Sequence, residues 1–175
     1  MASALFLDRD GVINEEKEDS YIFHKGEFVF YEGVVEALVR LSARFDYVFI
    51  VTNQRGVGRG YMTEEALLEI HDHLTEAVVT AGGKIDRVYF APYIESDHSH
   101  RKPNTGMALD AKRDFPDIDF EKSVMVGNNL SDMEFGKRMN MKTVFLYTTQ
   151  SKFNEPHPLI DEQYASLEAW SDTLF

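Results

Sequence analysis

Apolar residues recur along this chain in two rhythms, short unbroken runs and a spacing of three to four, and the two alternate from one end to the other. Ala4 to Leu7 is a short apolar run that ends at Asp8. Residues 14 to 31 are polar and aromatic without a clear period, which predicts a long loop with a small hairpin around Phe28 to Tyr31. From Gly33 to Ala43 the apolar positions are Val34, Ala37, Leu38 and Leu41, one face of a helix. Tyr47 to Val51 has the length and β-branched content of a buried strand and ends at Thr52. Thr63 reads as the N-cap of a helix from Glu64 to Ala81, with acids in its first turn and Gly82-Gly83 as its stop.

The second half repeats the pattern. Arg87 to Ala91 is a strand, followed by a polar loop to Pro103. Thr105 to Asp114 is a helix that Pro116 ends. Ser123 to Val126 is a strand ending at Gly127, Ser131 caps a helix to Met139, and Lys142 to Leu146 is another strand. Gln163 to Ala165 reads as a last short strand, and Ser166 as the cap of a helix carrying Leu167 and Trp170. Strand and helix in alternation predict an α/β fold with a mainly parallel sheet, in one domain spanning residues 1–175.

Composition narrows the functions this scaffold can carry. The chain is 43% hydrophobic, enough for a packed core, and no apolar run approaches the ~20 residues of a membrane-spanning helix. Residues 1–7 lack a basic region and do not read as a signal peptide, so a cytoplasmic protein is expected. Cysteine is absent, which excludes disulfides and thiolate metal sites. The formal net charge of -12 weighs against nucleic acid, whose phosphates are held by Lys and Arg, but leaves room for a small phosphorylated ligand.

The polar clusters fall just beyond the predicted strands, where ligands bind in open α/β sheets. Asp8 and Asp10 follow the first strand, Thr52 and Asn53 the second, Asn128 and Asp132 a later one. Two carboxylates two residues apart can divide phosphoryl transfer, one attacking phosphorus and the other shuttling a proton, with Mg²⁺ suppressing the repulsion between the attacking carboxylate and the phosphate. Lys102, before a predicted helix, can neutralise the same charges. Judged singly, each cluster is also ordinary turn or cap chemistry. The glycine-rich stretch Arg55 to Gly60 lacks the Gly-Lys-Ser/Thr ending of a P-loop.

Four segments in order carry a more specific signal. They are Phe6-Leu7-Asp8-Arg9-Asp10-Gly11-Val12-Ile13-Asn14, Val51-Thr52-Asn53-Gln54, Arg101-Lys102-Pro103 with Gly106-Met107, and Val126-Gly127 with Asp132-Met133. Together they resemble the motifs of the haloacid dehalogenase superfamily. The wording is closest to its branch of histidinol-phosphate and D-glycero-D-manno-heptose-1,7-bisphosphate phosphatases. The resemblance implies a Rossmann-like three-layer fold and a Mg²⁺-dependent phosphatase acting on a small metabolite, with a sugar phosphate as the first expectation. It implies Asp8 as nucleophile and metal ligand, and Asp10 as acid/base whose carbonyl also binds the metal. Thr52, Asn53, Arg59, Arg101 and Lys102 would hold phosphate or substrate, and Asn128 and Asp132 would complete the metal site.

Two departures from the branch stand out. An acid usually follows the glycine of the last motif, and here Asn128 does. The branch often carries a zinc loop of three cysteines and a histidine before Arg-Lys-Pro; here that stretch offers only His98 and His100, so structural zinc is not expected. The intervals between motifs leave no room for a separate cap domain, so an open site bordered by residues 15–30 and 92–100 is expected. Two rival readings remain open on the sequence: a phosphatase acting on nucleic-acid ends, and a catalytically weak or inactive binding protein on the same scaffold, the reading that Asn128 favours.

Overall fold

Alternate residues of each strand point to opposite faces of a sheet, and this chain makes both faces apolar. Leu5 and Leu7 join Val48 and Ile50 in one core, while Ala4 and Phe6 join Phe49 and Val51 in another. The computed structural model, which describes residues 1–175, accordingly buries the sheet between two layers of helices. The strands are β1 (Ala4–Leu7), β2 (Tyr47–Asn53), β3 (Arg87–Ala91), β4 (Val124–Gly127), β5 (Lys142–Leu146) and β6 (Glu162–Tyr164). Their order is β3-β2-β1-β4-β5-β6 and every neighbouring pair is parallel. This is the α/β fold with a parallel sheet that the alternating pattern predicted, in the three layers that the resemblance implied.

One layer holds α1 (Val34–Arg44), α3 (Glu64–Thr80) and α6 (Leu167–Asp172), whose Leu38, Leu41, Ile70, Leu74 and Trp170 pack on the first core. The other holds α4 (Gly106–Asp114) and α5 (Leu130–Arg138), which contribute Met107, Ala108, Ala111 and Phe135. A single helical turn, α2 (Arg55–Gly58), follows β2 in the glycine-rich stretch. No helix is long and apolar enough to cross a membrane.

Boundaries differ from the sequence reading where partners decide them. β2 runs on to Asn53 because Thr52 and Asn53 pair with Phe90 and Ala91 of β3. Helix α5 begins after Asn129, not at Ser131: Asp132, in its first turn, accepts the Asn129 N–H at 3.1 Å, which starts the helix earlier and puts Ser131 inside it. The expected hairpin at Phe28 to Tyr31 does not close on itself. Its N–H and C=O groups turn back to the segment after β1, with Tyr31 N–H donating to Ile13 O and Glu15 N–H to Val29 O. The excursion between, which includes a 3₁₀ turn at Lys25–Glu27, is thereby tied at both ends beside Asp10 and Asn14.

The strand order fixes where a site can form. The chain winds outward from β1 through β2 to β3, then returns to the other side of β1 with β4. Such a reversal leaves a crevice between the carboxyl ends of the two strands at the switch. Those ends are Leu7 and Gly127, so Asp8 and Asn128 open onto one crevice.

Candidate active site

Asp8 is almost buried at the end of β1, with its N–H donating to Val126 O of β4 at 3.0 Å. Lys102 reaches the same point from the loop before α4. Its Nζ donates to Asp8 Oδ1 at 2.9 Å and to Asp132 Oδ1 at 2.6 Å. Burial, and then the charge of Asp132, push the Asp8 carboxyl up to about 7, against the pull of Lys102. Burial alone would favour the neutral amine of Lys102, but Asp132 and Asp8 overcome it and hold the ammonium above its ordinary range. The second Asp132 oxygen takes the Asn129 N–H, so both are engaged and this residue braces Lys102 and the start of α5.

Asp10 is held by a different set of donors. Arg9, fully buried, gives Nε at 3.2 Å and Nη2 at 2.8 Å to Asp10 Oδ1, and Asn14 Nδ2 adds a third bond there at 2.9 Å. Gln54 Nε2 donates to Oδ2 at 3.0 Å. Burial acts to raise this carboxyl, yet the Arg9 charge and the hydrogen bonds keep it below the ordinary carboxylate range. Two acids two residues apart are thus driven in opposite directions.

Between them stands Asn128, fully buried at the end of β4. Gly11, at φ 82, makes its approach possible, because a Cβ there would come within 2.1 Å of the Asn128 amide. One end of that amide faces Thr149 Oγ1 at 2.9 Å, and the other lies 3.2 Å from Asp8 Oδ2 and 3.1 Å from the Asp10 carbonyl oxygen. With its NH₂ turned inward the amide donates to both oxygens; with its oxygen inward, three oxygens converge with no proton between them. Oxygens at adjacent corners around an ion with bonds of 2.0–2.1 Å are about 2.9 Å apart, so the second orientation fits a small hard cation and the first suits the metal-free chain. The donor set is one carboxylate, one amide and one carbonyl; no cluster of three carboxylates or histidines exists that could hold a metal. Glu16 stands at the mouth with Oε2 3.4 Å from Asn128 Nδ2. Burial, and then the Asp10 charge, raise its carboxyl.

The remaining candidates divide. Asp8, Asp10, Asn53, Lys102 and Asp132 line one small cleft with Glu16, Asn129 and Ser131. Asn53 clamps the Lys102 backbone, accepting its N–H at 3.0 Å and donating to its carbonyl at 3.2 Å. Thr52 is buried beneath, where its hydroxyl accepts from Gln54 at 2.9 Å. Arg59 and Arg101 stand outside the cleft. Arg59 donates to the Tyr21 hydroxyl and Arg101 to the Tyr93 carbonyl, and burial together with Arg55 and Arg59 lowers the proton affinity of Arg101. In the loop before Arg101, His98 stacks on Tyr93 and His100 Nε2 pairs with Asp110 Oδ2 at 2.9 Å.

Sequence reasoning passed over Arg9, His71, Glu16 and Thr149. The first three left a trace: Arg9 is the middle residue of the Asp-x-Asp motif, Glu16 follows it by six positions, and His71 interrupts the apolar face of α3. Thr149 lies beyond β5, where no motif points to it.

Known proteins resemble this chain over most of its length. The model of the polynucleotide kinase 3 phosphatase family matches residues 3–167. A D-glycero-alpha-D-manno-heptose-1,7-bisphosphate 7-phosphatase of Campylobacter jejuni is 39% identical over 149 residues, 85% of this chain and 84% of that protein. A D-glycero-beta-D-manno-heptose-1,7-bisphosphate 7-phosphatase of Pasteurella multocida is 33% identical over 162 residues, 89% of this chain and 86% of that protein. The crystal structure of the D,D-heptose 1,7-bisphosphate phosphatase of B. bronchiseptica, complexed with magnesium and phosphate, superposes with a TM-score of 0.86 at 27% identity, covering 98% of this chain and 97% of that one.

Proposed function

Since the chain belongs to the polynucleotide kinase 3 phosphatase family, within the haloacid dehalogenase-type phosphoric monoester hydrolases, we propose that it is a Mg²⁺-dependent sugar-bisphosphate phosphatase working through an aspartyl-phosphate. The observation that carries this reading is the pairing of Asp8 and Lys102 beside the three-oxygen corner of Asp8, Asp10 and Asn128. Asp8, the Asp10 carbonyl and Asn128 are the residues that would hold Mg²⁺, with Asp132 acting through Lys102. When bound, the cation supplies positive charge that offsets repulsion between the Asp8 carboxylate and a phosphoryl dianion.

The residues then divide the work. An Asp8 carboxylate oxygen attacks phosphorus, the bond to the leaving oxygen breaks, and its electron pair departs with that oxygen. Asp10 gives the leaving oxygen a proton. A water next attacks the same phosphorus, passing its proton to Asp10, and the bond to Asp8 breaks to release phosphate and the free carboxylate. Lys102 counters the charge spread over the phosphoryl oxygens. Asp10 begins as a carboxylate, but a dianion arriving beside it raises its proton affinity.

Arg55 and Arg59 stand close enough to Arg101 to lower its proton affinity, and Arg59 donates to the Tyr21 hydroxyl, a grouping of cations suited to a second anionic group on the substrate. Relatives named for both the alpha and the beta heptose bisphosphate support the sugar and leave the anomer to experiment. The test is phosphate release with and without Mg²⁺ from both heptose 1,7-bisphosphates, their monophosphates and a 3′-phosphorylated oligonucleotide. Preference for the bisphosphates supports the reading. Preference for the oligonucleotide would shift it to the end-phosphatase class named by the family model. No release from any of them by folded, metal-replete protein would end it in favour of a binding role.

A further inference from the structure

His71 takes no part in the chemistry above, yet it is 4% exposed on the buried face of α3 and touches the catalytic loop. Its Nε2 lies 3.1 Å from Arg9 Nη1. A guanidinium has donors only, so Nε2 accepts and the ring proton stands on Nδ1, where it finds no partner. A leucine would fill the same face without burying an unpaired N–H. The contribution of the histidine therefore lies in what Nε2 does for Arg9. Burial and the neighbouring Arg9 charge keep the ring neutral, which is the state that accepts.

Arg9 is itself fully enclosed, with the Phe28 ring over its guanidinium at 5.8 Å. Nε and Nη2 grip one Asp10 oxygen and Nη1 grips His71, so the guanidinium plane is fixed at both ends. With Asn14 added, Asp10 Oδ1 carries three donors and has no lone pair to spare. Oδ2 carries only the Gln54 bond and keeps one lone pair free. We infer that His71 is a positioning residue for proton transfer: through Arg9 it holds the Asp10 carboxyl with Oδ2 as the one oxygen that can exchange a proton in the cleft. The inference rests on the acid–base role proposed for Asp10.

Leaving-group chemistry tests it. A sugar alkoxide is a poor leaving group and needs the proton, whereas p-nitrophenolate departs as the anion. Turnover of a sugar phosphate and of p-nitrophenyl phosphate is measured for the wild type, Asp10→Asn, His71→Leu, His71→Phe and His71→Gln. Asp10→Asn should lose about 10²–10⁴-fold on the sugar phosphate and much less on the aryl ester. His71→Leu should lower kcat on the sugar phosphate by roughly tenfold or more, as a misplaced catalytic group does. Its loss on the aryl ester should be several-fold smaller, and kcat should move more than KM. His71→Gln, whose amide oxygen can accept from Arg9, should restore most of the ratio between the two substrates. If the leucine variant does not fold, the phenylalanine variant, a planar ring without an acceptor, carries the same expectation. Equal losses on both substrates, no loss on either, or a glutamine variant as poor as the leucine one would overturn the inference. An unchanged ratio in Asp10→Asn would instead remove the premise, and the inference with it.

Discussion

Asn128→Asp tests the metal corner most directly. The substitution puts a carboxylate oxygen 3.2 Å from Asp8 Oδ2 and 3.1 Å from the Asp10 carbonyl. Two unit charges at the 3.2 Å separation repel by about 5 kcal/mol at an effective dielectric near ~20. Protonation relieves much of this, since burial and Asp132 already lift the Asp8 carboxyl to about 7. The metal-free variant should therefore be less stable than wild type by roughly 1–3 kcal/mol, the span of a single substitution with one named cost. A divalent cation at the corner reverses the sign, because it turns three mutually repelling oxygens into ligands. If binding recovers that same 1–3 kcal/mol, Mg²⁺ affinity rises by roughly 5- to 140-fold at about 1.4 kcal/mol per tenfold. The assay is a calorimetric Mg²⁺ titration of both forms without phosphate at pH 8, with urea unfolding in the presence and absence of metal. Equal affinities together with equal metal-free stabilities would refute the reasoning, for then position 128 does not face the cation.

Three further outcomes follow from the same geometry. Asp8→Asn should abolish turnover, since an amide forms no acyl phosphate; hydrolysis at the wild-type rate by the folded variant would require another nucleophile. Lys102→Met should lower stability by about 3–5 kcal/mol, because Asp8 and Asp132 would then be buried without their shared cation, and urea unfolding measures the loss. For His71, burial first and Arg9 second depress the folded pKa from 6.5 to about 3. The unfolded chain therefore binds a proton that the native one refuses, so this part of the stability is present above pH 6.5 and is lost as pH falls toward 3. Wild type should lose up to about 1.4 kcal/mol per pH unit more than His71→Gln across that window, and parallel pH–stability curves would contradict it.

The sheet and the position of the cleft were legible because local signals agreed. β1, β2 and β4 each read as an apolar run followed by a polar cluster, so the run from Phe6 to Asp10 announces both a strand and what stands at its end. Strand order was not legible, yet the clusters after Leu7 and Gly127 meet only because β1 and β4 are neighbours. What escaped the sequence is what distant partners decide. His71 and Arg9 are 62 positions apart, and no spacing rule pairs them. Ser131 is a better N-cap residue by type than an interior position requires, but Asp132 pairing with the Asn129 N–H set the start of α5. Arg59 and Arg101 were linked to the cleft by motif alone, and their side chains turn to Tyr21 and Tyr93 on the loops that border it.

The two acids of the motif are each biased away from the protonation state the proposed reaction uses. Asp8, the proposed nucleophile, is raised to about 7 by burial and Asp132, while Asp10, the proposed proton donor, is held low against its burial by Arg9, Asn14 and Gln54. A cation at the Asn128 corner stabilises the Asp8 carboxylate, and a phosphoryl dianion stabilises the protonated form of Asp10. Each ligand corrects one acid, and each offsets the charge that the other brings. Mg²⁺ and phosphate should therefore bind with positive coupling, and by linkage each must tighten the other by the same factor, within the ~5- to 150-fold span of such couplings. Mg²⁺ binding near pH 7 should also release a fraction of a proton from Asp8, visible as a calorimetric heat that varies with the ionisation enthalpy of the buffer. Independent binding of the two ligands, with no buffer dependence, would mean that the burial of Asp8 beside Asp132 is not what keeps this site idle until both arrive.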